Sequence, residues 1–125
     1  MLIDTDVLIW LFRGRDSASR LLQRLDSVTL SAITYMELIQ GLRDKKEFRL
    51  LRQTIHEEDW EILPVDENIS QRATVYIENY ALSHGLLLAD ALIAASAIES
   101  GLTLVTANAR HYKMIPEIAL KTFRP

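Results

Sequence analysis

The chain has 125 residues, 49% hydrophobic and 25% charged, which is enough for one domain with its own core and ordinary for a globular protein. No apolar run reaches the roughly 18 residues that span a bilayer, acids at positions 4 and 6 stand where a signal peptide carries basic residues, and the absence of cysteine excludes disulfides, thiolate catalysis and cysteine-held zinc. The formal net charge of -3 argues against holding nucleic acid by bulk electrostatics, although acids gathered around a divalent cation create a local phosphate site even in an acidic protein; a cytoplasmic location is expected.

In chain order, Met1–Ile3 reads as a strand, followed by a short helix from Val7 to Phe12 with Asp6 placed as its N-cap. A second helix is expected over Ser17–Leu25 and a short strand over Val28–Leu30. The stretch from Thr34 through Leu42 reads as a helix opened by a capping box, Thr34-x-x-Glu37. Lys45 to Glu58 is amphipathic, with Phe48, Leu51 and Ile55 at helical spacing. Ile62–Val65 reads as a strand that Pro64 pushes to a sheet edge. Two further helices, Glu67–Ser83 and Leu88–Ser100, end with Gly101 after the second. Thr103–Thr106 is a strand and Ala119–Phe123 a last edge strand. Short strands alternating with helices predict an α/β fold over residues 1–125, one domain with a mainly parallel sheet covered on both faces. Ligands of such sheets bind beyond the carboxyl ends of the strands, where Asp4, Ser31, Thr106 and Asn108 fall.

Four places carry candidate chemistry. Asp4 follows an apolar strand and is either a capping aspartate or a ligand, whereas Asp6 reads as a cap. Glu37 serves the capping box or points across the top of the sheet, and one rotamer cannot do both. Asp90 is the most informative residue: it sits in LLLADALIAASAIESG, a helix apolar nearly all round, where a carboxylate needs a cation, a basic partner or dense hydrogen bonding. Its alternative is a helix-start acid favoured by the dipole. Thr106 ends its strand and Asn108 follows; both could be loop-forming residues, but their place beside the strand ends favours a functional reading. His111 reads as an exposed loop residue, with no second histidine at ligand spacing. Asp4, Glu37 and Asp90 with Asn108 make an all-oxygen set suited to Mg²⁺ or Mn²⁺ rather than zinc.

These residues carry a resemblance. LIDTDVLIW, SAITYMELIQG, LLLADALIAASA and TLVTANARHYKMIP, in that order along essentially the whole chain, resemble PIN-domain ribonucleases, in particular the VapC toxins of toxin–antitoxin pairs. The resemblance implies a three-layer α/β/α PIN-like fold with four or five parallel strands, a homodimer, endonucleolytic cleavage of RNA, and a cognate antitoxin that covers the active site. Carried over by residue, it makes Asp4, Glu37, Asp90 and Asn108 catalytic. The ion is held chiefly by Asp4 and Asp90, with Glu37 as ligand or as general base through water. Asp6 stands where the family commonly has asparagine, and Asn108 where many members have an acid, which points to one tightly held ion. Thr106 and Arg110 are substrate-binding candidates, and Arg13, Arg15, Arg43, Lys45 and Lys46 are placed to hold phosphates. Trp10, Leu11, Phe12, Tyr35, Leu38 and Leu42 exceed what two short surface helices need, which suggests a face for the antitoxin or a second copy.

Two other functions fit parts of the pattern. Asp4-Thr5-Asp6-Val7 after a strand also resembles the opening motif of haloacid-dehalogenase-type phosphatases, with Asp4 as nucleophile and Asp6 as acid or base, but no lysine precedes a late acidic pair and Glu37 and Asp90 then have no role. A PIN-like module that binds without catalysis is the third possibility; metal-dependent cleavage separates it from an enzyme.

Overall fold

The computed structural model describes residues 1–125. Its elements run β1 (Leu2–Ile3), α1 (Thr5–Phe12), α2 (Asp16–Gln23), β2 (Thr29–Ser31), α3 (Ala32–Gln40), α4 (Lys45–Glu57), β3 (Glu61–Leu63), α5 (Glu67–His84), α6 (Leu88–Glu99), β4 (Leu104–Thr106), a 3-10 turn at Ala109–His111, and β5 (Leu120–Thr122). The five strands pair in parallel in the order β3-β2-β1-β4-β5. Pro64 lies just past β3, at the edge where a missing N–H costs no ladder bond.

The period-2 geometry of a strand divides the core in two. Leu2 and Leu104 point to one face, where they meet Ile69, Ala73, Tyr76, Ile93 and the alanines of α6. Ile3 and Val105 point to the other, against Val7, Leu8, Ala18, Leu38 and Leu51. Helices α5 and α6 therefore cover one face and α1 to α4 the other, giving the three-layer α/β/α arrangement that the sequence predicts. Helix α6 is buried along most of its length, as its all-round apolar pattern requires, with Ala91, Ile93, Ala94, Ala95 and Ala97 inaccessible or nearly so. It stops before Gly101, whose φ of 65° is left-handed and suits a residue without a Cβ.

Strands β1, β2 and β3 build outward on one side, and the chain then returns to add β4 and β5 on the other. The direction of strand order reverses between β1 and β4, which is where an open α/β sheet leaves a crevice at its strand ends. The residues at those two ends are Asp4 and Thr106.

Helix α2 starts one residue before the expected Ser17, and two other helices start two residues early. α1 begins at Thr5 with Asp4 as its N-cap, so Asp6 is in the first turn and is not the cap. The N–H of Asp4 still bonds to Val105 O at 2.9 Å, so the ladder ends at Asp4 itself and the helix starts directly after it. α3 begins at Ala32, capped by Ser31, whose Oγ accepts from Ile33 N at 3.0 Å. The Thr34-x-x-Glu37 capping box does not form, because both residues lie inside the helix.

Candidate active site

The two roles weighed for Asp4 coexist on different oxygens. Its Oδ1 accepts from Thr5 N at 2.8 Å, which is the cap. Its Oδ2 accepts from Thr106 Oγ1 at 2.8 Å and Tyr112 OH at 2.9 Å. The residue is 6% exposed, and burial holds its carboxyl above the ordinary range in spite of these three donors.

Glu37, freed from the capping box, reaches back to α1. Its Oε1 accepts from Thr5 Oγ1 at 2.7 Å, and Thr34 Oγ1 lies 3.0 Å from the same hydroxyl. Thr5 has one proton to give and the carboxylate is the closer, stronger acceptor, so Thr34 donates to Thr5. That chain of hydroxyls fixes Glu37 beside the cap residue.

Asp90 occupies the first turn of α6. Its Oδ1 lies 3.3 Å from Tyr112 OH, and its Oδ2 3.7 Å from His111 Nδ1. Burial first, then the charge of Asp4, push its carboxyl upward. His111 is exposed as expected, yet it stands against the central carboxylates.

Asp6, read as a cap from sequence, belongs to the cluster. Its Oδ2 accepts from Asn108 Nδ2 at 2.7 Å and Ala107 N at 3.1 Å, with Thr106 Oγ1 at 3.4 Å. Its Oδ1 is closed off from solvent and has no hydrogen-bond partner. Burial and the neighbouring Asp4 push this carboxyl up to about 6. Asn108 is thus brought to Asp6, and not to Asp4, Glu37 or Asp90 with which it was grouped. Thr106 is fully buried, its hydroxyl giving a proton to Asp4 and accepting from Asn108 N at 3.0 Å. It holds Asp4 in place and does not face a substrate. Arg110 lies exposed on the 3-10 turn beside this corner.

Tyr112 is the residue that sequence reasoning missed. It is fully buried, and its hydroxyl stands between Asp4 and Asp90; burial, then the charges of Asp4 and Asp90, raise its pKa far above the usual phenol value. It is a neutral donor that can give its single proton to one carboxylate at a time. The signal was a polar aromatic at the end of the TANARHY stretch.

Four acids therefore gather at the β1–β4 switch point, and the only basic group within ion-pair distance of any of them is His111. No three Asp, Glu or His side chains converge closely enough to enclose an ion unaided. Mg²⁺ does not require such a cage, because it keeps several waters and takes one or two carboxylates plus phosphate oxygens. The donor chemistry fits as well: all ligands are oxygen, three carboxyls are held above their ordinary range, and the Oδ1 of Asp6 is an orphan. A phosphatase of the haloacid-dehalogenase type finds no support here, since the contacts of Asp4 are Thr5, Thr106 and Tyr112 and no lysine is among them.

A parallel five-stranded sheet in this order, with carboxylates just after β1 and on α3 and α6 standing beside its switch point, defines the class: the PIN domain model matches residues 1–115, and the chain belongs to that family. Within it, the chain is similar to the protein named Ribonuclease VapC1 of Methanocaldococcus jannaschii, 33% identical across 98% of this chain and 86% of that one. It is 35% identical to Ribonuclease VapC10 of Mycobacterium tuberculosis, across 100% of this chain and 98% of the relative. Among solved structures, it matches a chain of a toxin–antitoxin complex from Klebsiella pneumoniae at a TM-score of 0.79 and 31% identity, covering 98% of this chain and 97% of that one.

Proposed function

We infer that the chain is an endoribonuclease that hydrolyses RNA phosphodiester bonds, acts as the toxin of a toxin–antitoxin pair, and uses Mg²⁺ or Mn²⁺ held by Asp4 and Asp90 with Glu37 beside them. The observation that carries this reading is the imbalance of charge at the strand ends, in a family whose similar members are named as ribonucleases. When bound, such an ion ligates phosphate oxygens, acidifies a water and stabilises the leaving oxygen.

The chain's own groups account for the rest. Thr106 and Tyr112 orient Asp4, and Tyr112 ties Asp90 to it. Glu37, positioned through Thr5, is available on its other oxygen to take a proton from water, and it borders the open groove between α1, α3 and α4. Asn108 acts through Asp6, fixing its Oδ2 together with the N–H of Ala107.

The groove beside Glu37 is lined by Ile9, Phe12, Leu38, Leu42, Leu50 and Leu51 and measures about 620 Å³. Phe12 and Leu50 are 39% and 56% exposed. It is suited to the apolar face of an antitoxin helix, which would then lie next to the catalytic glutamate. Leu82, Leu87 and Leu88, wholly or largely exposed around the turn between α5 and α6, support a homodimer. No helix is long and apolar enough to cross a membrane, and the reading places the protein in the cytoplasm with its RNA substrate.

The test is cleavage of a mixed tRNA, rRNA and mRNA pool by purified protein in Mg²⁺ or Mn²⁺. Cleavage that chelation abolishes and either ion restores is expected. Protein that binds RNA and never cuts it under these conditions would favour the non-catalytic module.

A further inference from the structure

On the far end of α1 lies a second polar feature that the carboxylate centre does not use. Trp10, Arg13, Gly14, Arg15, Asp16, Ser17, Arg20 and Pro125 surround a depression of about 600 Å³. The Arg15 guanidinium carbon sits 4.7 Å from the centre of the Trp10 ring and that of Arg13 5.9 Å from it. None of the three arginines takes part in an ion pair; the chain's pairs are Arg43–Glu47, Arg72–Glu99 and His111–Asp90. Three guanidiniums thus stand against two carboxylates, the side chain of Asp16 and the terminal group of Pro125, and cations stay in excess.

The backbone adds donors. Helix α2 starts here with no side-chain cap, and the N–H groups of Asp16 and Ser17 bond to no backbone carbonyl. The Oγ of Ser17 is closed off from solvent without a partner. Guanidiniums held against an indole present both a planar stacking surface and forked donors, a combination that serves bases and phosphates of a single strand together. Arg13 also borders the groove that contains Glu37. The depression thus shares Arg13 with that groove, and Arg13 lies nine residues from Asp4 along α1, roughly 13 Å by helix rise.

We propose that the Trp10–Arg13–Arg15–Arg20 depression is a subsite for the single-stranded RNA substrate, holding the phosphodiester backbone a few nucleotides from the scissile bond. The proposal rests on the ribonuclease reading and assigns where that substrate is gripped. Affinity in this acidic protein is then local, supplied by one basic corner.

The test compares wild type with the triple variant Arg13→Ala/Arg15→Ala/Arg20→Ala and its Arg→Lys counterpart, after checking that the melting temperatures agree. Binding of a fluorescein-labelled single-stranded RNA is followed by anisotropy without divalent metal, so that no turnover occurs. The alanine variant is expected to bind at least about tenfold more weakly near 0.1 M salt and to lose about two units of slope in log Kd against log salt, since each phosphate contact on a single strand contributes about 0.7. With metal, KM for long RNA should rise while kcat holds. The lysine variant should keep the salt slope but lose much of the Trp10 fluorescence quenching that RNA causes in wild type. Should the triple variant not fold, Arg15→Ala alone gives the same directions at smaller size.

Wild type that cuts RNA, beside a folded variant with unchanged Kd, slope and KM, overturns the subsite and leaves the ribonuclease reading standing. Unchanged RNA affinity with weakened capture of an acidic antitoxin segment would assign the arginines to the partner, and also overturns it. Wild type that neither binds nor cuts any RNA defeats both readings.

Discussion

Two tyrosine hydroxyls in this molecule sit among carboxylates. Tyr76 on α5 accepts from Arg72 Nη1 and donates to Glu117 Oε2, both at 3.3 Å, while Arg72 Nε reaches Glu99 Oε1 at 2.8 Å. Tyr112 stands between Asp4 and Asp90 with Asp6 and Glu37 close by, and no arginine or lysine enters. At Tyr76 a guanidinium offsets the acids, and the network ties α5, α6 and the loop before β5 together. At Tyr112 the acids are left to one another and to half-exposed His111. Charge balance separates a structural tie from a site prepared for a cation, and hydrogen-bond counts alone would not have distinguished them.

The strongest way to break that contrast is Asp90→Asn. The substitution keeps the shape and removes one of the mutually repelling charges, so RNA cleavage should fall by about three orders of magnitude, the scale of a lost metal contribution worth several kcal/mol. The metal-free fold should be as stable as wild type or more so. Chemical denaturation and cleavage assays on one preparation check both halves; destabilisation with cleavage retained would mark Asp90 as a helix-start acid.

Tyr112→Phe sharpens the contrast from the other side. It removes the only neutral donor shared by Asp4 and Asp90, at a cost of about 1.5–3 kcal/mol for a hydrogen bond to a charged group. Metal-free protein should melt lower, and the rise in melting temperature on adding Mn²⁺ should exceed that of wild type, because the ion relieves a less satisfied site.

The pH dependence follows from the raised carboxyls. Asp6, shifted from 3.8 to about 6, binds a proton in the folded chain at pH values where the unfolded chain has lost it. Its contribution is therefore complete below pH 3.8 and is lost as pH rises through about 6. The raised Asp4 and Asp90 act in the same direction. Metal-free protein should gain a few degrees of melting temperature between pH 7 and pH 5, and saturating Mg²⁺ should flatten or reverse the trend.

Arg72→Ala is the smallest effect and the control. Its pair with Glu99 is about one-third exposed on each side, so the loss should be about 1 kcal/mol or less. Cleavage should not change; a large drop in activity would mean that the α5–α6 layer positions Asp90 more tightly than this account allows.

The sheet, its layers and three of the four acids were legible in the sequence because strand alternation, the all-apolar α6 and an acid stranded within it are local signals. Helix starts were less so. Asp4 and Asp6 are both good caps in isolation, and only the ladder bond from Asp4 N to Val105 O settles which one caps. The Thr34-x-x-Glu37 spacing was a true motif in the wrong frame, since Ser31 at the end of β2 caps first. Asp6, Asn108 and Tyr112 were misread or missed for one reason: their partners lie about a hundred positions away in the chain, across the β1–β4 crevice, and no periodicity reports such a pairing. Tyr112 in particular looks like an ordinary core aromatic until its hydroxyl is located.

The central claim is that the carboxylates at the β1–β4 crevice are assembled for a divalent cation, and the most direct measurement is thermal unfolding of wild type and Asp90→Asn with and without Mn²⁺. Binding to the folded state alone should stabilise wild type by about 2.7 kcal/mol at 100 times the dissociation constant, with little or no shift in Asp90→Asn and no lower melting temperature for that variant without metal. Wild type that shows no shift, or a variant that shifts equally and melts lower without metal, would contradict the account.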